Sequence, residues 1–192
     1  MLEISPRLVM IGDTRVGKTT ITTTYKSGEF CETNRSTIGA VYSVYRQTFD
    51  KTVITLHVYD TAGQEKYRNL VPMYYRGAHA AVLVFDLTSR DTFQSLEFWI
   101  NAFLQIEPNS KIIIAANKID LQEEIEVSIE EATEYSLQRG IPLYFTSAKT
   151  GDGIKELFDA VFKYFFQNQN LRNSITEGSQ KVSMEAAGGG CC

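Results

Sequence analysis

"GDTRVGKTT", residues 12–20, follows directly on "RLVMI", residues 7–11, and this junction decides how the chain folds. A short run of branched apolar residues that stops at a glycine reads as a buried strand. Gly12 and Gly17, followed at once by Lys18 and Thr19, then read as a tight loop that opens a helix. At Gly12 and Gly17 the chain can bend so that backbone N–H groups turn inward. Lys18 adds a point charge, and the helix that begins near Thr19 adds its dipole. Together with the loop residues Asp13, Thr14, Arg15, Val16 and Thr20, this is a seat for phosphate groups. A plain glycine turn between strand and helix is the bland alternative, and it gives Lys18 no purpose.

Working outward, "AAVLVFD" (80–86), "KIIIAAN" (111–117) and "LYFTS" (143–147) repeat the buried-strand signature, with longer segments of helical period between them. That alternation predicts an α/β domain on a parallel sheet. "VYSVYRQTF" (41–49) and "TVITLHVYD" (52–60), separated by Asp50 and Lys51, read as a hairpin feeding the same sheet, for six strands in a mixed but mostly parallel order. The expected fold is the P-loop nucleotide-binding type with helices on both faces. Residues 91–107 predict one helix with Phe93, Leu96, Ile100, Phe103 and Leu104 on its buried face and Trp99 beside them. Ser128 and Glu131 predict a capping box, and Gly140 a helix end. The last helix carries Ile154, Leu157, Phe158, Val161, Phe162 and Phe165 as one stripe. The domain is expected to span 1–167, and 168–192 a flexible tail.

The 192 residues, 43% hydrophobic and 22% charged, suit one domain with a continuous core. A net charge of -4 gives no basic field, which argues against nucleic acid as a partner. Three cysteines, Cys31, Cys191 and Cys192, suit neither a disulfide framework nor a zinc site. Cys31 reads as a spectator thiol. "MLEISPRL" resembles no signal peptide, and the expected compartment is the cytosol.

Two further blocks refine the phosphate site. In "VYDTAGQE" (58–65), Asp60 ends a strand where it can hold Mg²⁺ through water, Gly63 can give an N–H to a γ-phosphate, and Gln64 falls where an attacking water must be aligned. Thr19 offers its hydroxyl to the same metal. In "AANKID" (115–120), Asn117, Lys118 and Asp120 follow a strand at the sheet edge where ligands bind. Asp120 can accept from the N1–H and 2-amino group of guanine, whereas adenine offers neither donor. Asn117 is expected on the base edge, the Lys118 stem over a ring face, and Ala148 N–H, within "TSAK" (Ser147 and Lys149 beside it), at the guanine O6. His57 and His79 lack a catalytic partner and read as structural.

These blocks resemble the Ras-like small GTPases over 6–167, and "STIGA" (36–40), residues 60–89 and the double cysteine at 191–192 are most similar to the Rab family, on its early-endosomal side. The resemblance implies a GTP/GDP switch with Mg²⁺, in which Lys18, Thr37 and Gln64 serve hydrolysis, Thr37 joins Thr19 and Asp60 at the metal, and Phe30 stands edge-on to the guanine. It also implies an effector face of Ile38, Gly39, Tyr42, Tyr59 and Tyr74, where Tyr42 and Tyr59 replace the family's usual Phe and Trp. The implied partners are guanine nucleotide, effectors, an exchange factor, a GTPase-activating protein (GAP) and an escort or GDI-type chaperone, all meeting a monomer. Geranylgeranyl groups on Cys191 and Cys192 would attach it reversibly to the cytosolic face of endosomal membranes. Three other readings stay open: a P-loop ATPase or nucleotide kinase, a GTP-binding scaffold that does not hydrolyse, and a Rab acting on a secretory or Golgi step. Arg15 is expected to point outward beside the nucleotide, with an arginine finger built into the loop as its rival.

Overall fold

The computed structural model describes residues 2–30, 40–61, 71–168, 171 and 175. In chain order the elements are β1 (Leu2–Ile4), β2 (Arg7–Ile11), α1 (Lys18–Ser27), β3 (Ala40–Phe49), β4 (Thr52–Thr61), α2 (Val71–Tyr75), β5 (Ala80–Asp86), α3 (Arg90–Gln94), α4 (Leu96–Leu104), β6 (Lys111–Asn117), α5 (Ile129–Arg139), β7 (Leu143–Thr146) and α6 (Ile154–Gln167). One mixed sheet carries all seven strands. β3 runs antiparallel to β4, and the remaining pairs, β4 with β1 and β2, β2 with β5, β5 with β6 and β6 with β7, are parallel.

The sequence predicts six strands and the described residues form seven, for a local reason. β1 pairs Ile4 with Ile54, and β2 pairs Arg7 with His57, so both run along one side of β4 in the same register. They are two halves of one ladder interrupted at Pro6, which has no N–H to give and whose carbonyl accepts from His57 N–H at 2.9 Å. The sheet thus keeps six positions across its width. The hairpin lies where expected, and Asp50 takes the left-handed conformation (φ 50°) that its tight turn requires.

Side chains alternate across the parallel strands and build two cores. Leu8, Met10, Val82, Val84, Ile113 and Ala115 face α1 and α6 on one side. Val9, Ile11, Leu83, Phe85, Ile112 and Ile114 face Tyr75, Leu96, Trp99, Phe103 and Ala132 on the other. All six residues of the predicted α6 stripe are buried. In that first core Phe158 stacks on Tyr25 at 3.9 Å between centroids.

Two helix expectations change. The helix over 91–107 divides at Ser95, whose hydroxyl donates back to the Asp91 carbonyl at 3.0 Å. Phe93 and Leu104 are accordingly only partly buried. At the start of α5, Ser128 Oγ accepts Glu131 N–H at 3.1 Å, but the Glu131 carboxylate pairs with Arg90 at 2.7 and 2.9 Å. That pairing joins the starts of α3 and α5. Gly140 ends α5 in the left-handed conformation, as predicted. Among the described residues no helix is long and apolar enough to cross a membrane.

Candidate functional site

Every parallel strand from β2 to β7, β4 included, delivers its C-terminal end to one edge of the sheet, and the glycine loop, Asp60, Asn117 and Ala148 lie on that edge. The loop after β2 is fixed there by two close approaches. A Cβ on Gly12 would come within 2.1 Å of the Val84 carbonyl, and one on Gly17 within 2.2 Å of Asn117 Nδ2; both have positive φ, 132° and 101°. No residue but glycine fits either place. Val16 between them is fully buried in the core and anchors the loop from below.

Lys18 begins α1, is 5% exposed, and its ammonium donates to the carbonyls of Gly12 at 2.8 Å and Asp13 at 2.6 Å. Burial pulls its pKa down to about 8, against the opposing pull of Asp60 and Asp13. Thr19 Oγ1 donates to Asp60 Oδ2 at 2.5 Å. Burial pushes the Asp60 carboxyl up to about 6, with the Thr19 hydrogen bond and Lys18 acting the other way. Its second oxygen, Oδ1, is buried without a hydrogen-bond partner among the described residues. A hydroxyl and a carboxylate with a spare buried oxygen are the hard donors that Mg²⁺ takes, and Mg²⁺ is commonly held by one or two side chains plus phosphate oxygens. Among the described residues there is no cluster of three His, Cys, Asp or Glu that would suggest another kind of metal centre.

Beside this loop opens a cavity of about 340 Å³ lined by Arg15, Gly17, Thr20, Phe30, Asn117, Lys118, Asp120, Leu121, Ala148 and Lys149. The structure therefore gathers the first and third sequence motifs around one space. Asp120 Oδ1 accepts from Ser147 Oγ at 2.6 Å, which orients the carboxylate. Lys118 has a left-handed backbone (φ 67°), and its ammonium pairs with Asp86 Oδ2, leaving its stem along the cavity wall. Asp86, 6% exposed and held by Thr88 N–H at 2.9 Å, is a functional partner that sequence reasoning missed. Its signal was a carboxylate closing the apolar run 80–86. Phe30 is 42% exposed, too much for a core residue and suited to flank a ligand.

Asn117 lines the cavity, and its amide is also engaged within the protein. Its Oδ1 accepts from Thr146 Oγ1 at 3.1 Å and from Ala148 N–H at 3.2 Å, while Nδ2 donates to Val16 O at 2.8 Å. The Ala148 N–H expected at a purine O6 is thus turned to Asn117. A buried amide must satisfy its own polar atoms, and here it does so by lacing three loops together. Nδ2 carries two hydrogens, of which Val16 takes one. Thr24 of α1 adds a fourth tie, donating to Ala148 O at 2.8 Å.

On β3 and β4, Tyr42 and Tyr59 meet at 5.2 Å between ring centroids, and the Arg7 guanidinium lies 4.6 Å over Tyr59. His57 is more than a strand filler, because its Nδ1 is bonded to the Tyr42 hydroxyl. Tyr74 sits half-buried on α2, which packs against β4. Tyr42 and Val44, on the face of β3 opposite the buried Tyr45, leave 51 and 46% of their surface exposed and Met73 on α2 leaves 64%, apolar surface of the kind that marks partner contact. Cys31, Thr37, Ile38, Gly39, Gly63, Gln64, Cys191 and Cys192 lie outside the described residues.

The glycine loop, buried Lys18, the Thr19–Asp60 pair and the adjoining cavity define a P-loop nucleotide-binding domain. The sequence profile of the Ras family matches residues 7–167. The Dictyostelium discoideum protein named as ras-related protein Rab-5B is 41% identical over 164 residues, which cover 84% of this chain and 76% of that protein. The chain belongs to the Ras family of small GTPases, on its Rab branch.

Proposed function

We propose that this chain is a Mg²⁺-dependent, GAP-stimulated GTP/GDP switch of endocytic membrane traffic. The observation that carries the nucleotide part is Asp120, held by Ser147 on the wall of the cavity that adjoins the phosphate loop. In this role Gly12 to Thr20 cradle the phosphates, Lys18 turns its ammonium to the outer ones, and Asp120 reads guanine. Thr19 and Asp60, with Thr37, would hold Mg²⁺, which when bound neutralises phosphate charge. Gly63 and Gln64 supply the γ-phosphate contact and the alignment of water. Catalysis of this kind is positioning and charge stabilisation, so unaided turnover near the order of 10⁻⁴ s⁻¹ is expected, with a GAP raising it by up to about 10⁵.

The endocytic assignment is supported by the name of the Dictyostelium relative. The exposed Tyr42, Val44 and Met73, with Tyr59 and Tyr74, suit the effector face, and Ile38 and Gly39 would extend it. Cys191 and Cys192, behind a glycine run, suit double geranylgeranylation. The polar stretch before them offers Arg172 and Lys181 against Glu177 and Glu185, no polybasic second signal, so two lipids would be needed for stable attachment. Intact mass of membrane-extracted protein tests this: an unmodified C-terminus in the bound pool would defeat it.

Displacement titration tests the nucleotide reading. Wild-type protein is expected to prefer GDP and GTP over ATP by a factor on the order of 10⁴. Asp120→Asn should move the preference toward xanthine nucleotides, whose 2-oxo group accepts where guanine donates. A variant that kept wild-type guanine preference would remove Asp120 from base recognition.

A further inference from the structure

Asp13 is engaged through both its backbone and its side chain. Its carbonyl accepts from the Lys18 ammonium at 2.6 Å, and its carboxylate Oδ1 accepts from the indole Nε1–H of Trp99 at 3.1 Å. Trp99 comes from α4, 86 positions along the chain, and is the only tryptophan. It is 4% exposed, packed in the second core and braced edge-on by Phe98 at 5.2 Å. The indole nitrogen is a donor only, so this contact satisfies its one polar atom, and the surrounding core holds the donor in place.

What needs explaining is the carboxylate. A loop that seats phosphates works through inward N–H groups and an ammonium, and a fixed negative charge among them opposes the ligand. Asp13 has that charge beside Lys18. We infer that Trp99 is a positioning residue: its buried indole N–H holds the Asp13 carboxylate against α4 and away from the phosphates, and so sustains nucleotide affinity. The inference rests on the phosphate-site reading above. The same hydrogen bond fixes the Asp13 main chain, whose carbonyl meets Lys18, so α4 sets the loop from outside the motif. Phenylalanine keeps an aromatic ring in this core position but lacks the N–H, so it releases the carboxylate at the cost of some packing.

The test is a variant series in the full chain, titrated with GMP, GDP and GTP in competition with a fluorescent GDP. Trp99→Phe is expected to weaken GDP about tenfold, in line with loss of a hydrogen bond to a charged group, and the loss should grow from GMP through GDP to GTP as phosphate charge increases. Adding Asp13→Asn to Trp99→Phe removes the freed charge and should restore GDP affinity to within about threefold of wild type, on the charge-repulsion argument. A purely structural role for Trp99 predicts a uniform loss across the three nucleotides and no rescue, and either result overturns the inference. So does a Trp99→Phe protein that binds GDP within about twofold of wild type, less than one net hydrogen bond. Thermal unfolding of each variant checks that the fold is retained. Wild-type binding reports on the nucleotide reading, whereas ratios between variants report on Trp99, so the two fail separately.

Discussion

Arg15 occupies a left-handed backbone position (φ 64°) in the phosphate loop, is exposed, and lines the cavity with Phe30 and Asp120. An L-residue there costs on the order of 1 kcal/mol, so the surrounding loop must impose the conformation. On the proposed nucleotide reading, Phe30 and Asp120 of this cavity would face the base, so Arg15 on the same wall would lie beside that end, whereas a transition-state finger must reach the transferring phosphate. Arg15→Ala is therefore expected to change intrinsic single-turnover hydrolysis by less than about tenfold, or about 1.4 kcal/mol in barrier. A loss of several hundredfold at unchanged affinity would establish the finger. Residue identities at this site were legible in the sequence because each spacing has a chemical reason, glycine before an ammonium or a carboxylate after a buried strand. Partnerships were not. That Asn117 spends its amide on Val16, Thr146 and Ala148, or that Asp13 meets Trp99, depends on side chains far apart in sequence.

At the scale of elements, the strand that precedes the loop begins earlier than its apolar run suggests. Leu2–Ile4 is too short to show periodicity, yet Ile4 is 1% exposed in the core, because Pro6 interrupts the ladder without changing its register. The far side of β2 is joined to β5 by a histidine: Arg7 N–H donates to His79 Nδ1 at 3.0 Å, while His79 N–H donates to Arg7 O at 2.9 Å. An accepting Nδ1 must be unprotonated, and burial and the Arg7 charge lower its pKa, with Glu107 opposing. The folded state thus binds this proton less readily than the unfolded chain. Its stabilising contribution is complete above the unfolded value of 6.5 and is lost as pH falls through 6.5 toward the folded value. His57 acts in the same direction, by burial and Arg7. Asp60 acts oppositely, since a carboxyl raised to about 6 from 3.8 adds stability as pH falls between those values. A comparison isolates His79: His79→Gln should lose less stability between pH 7 and pH 5 than wild type in urea titrations. Parallel curves would remove His79 from the pH dependence. The split of α3 from α4 and the diversion of Glu131 to Arg90 were likewise unreadable, because a hydroxyl or a neighbouring helix overrides a local pattern that was itself sound.

Over the whole molecule, the two cores hold a sheet whose edge collects Gly12 and Lys18 after β2, Asp60 at the end of β4, Asn117 at the end of β6 and Ala148 after β7. Fold class was legible early because parallel strands buried on both faces leave long apolar runs, and only a βαβ order can connect them. That order makes the site a property of the entire sheet. Direct ties between the loops are present: Thr19 to Asp60, Asn117 to Val16 and Ala148, Thr24 to Ala148. A nucleotide contacting Lys18, Asp60 and Asp120 together would bind only when those strands are assembled, so its binding energy adds to global stability. GDP with Mg²⁺ at about a hundred times its dissociation constant should stabilise the chain by about 2.7 kcal/mol, and for a domain of this size each kcal/mol moves the unfolding midpoint by about 2–4 °C. A rise of about 5–10 °C is therefore expected for GDP·Mg²⁺ and none for ATP·Mg²⁺ at the same concentration. Adding a chelator should then lower the midpoint, because the buried Asp60 carboxylate, whose Oδ1 has no hydrogen-bond partner among the described residues, would be left near the phosphates without a cation to neutralise them. Equal shifts with ATP would contradict base recognition by Asp120, whereas a GDP shift indifferent to chelation would contradict the metal role of Thr19 and Asp60.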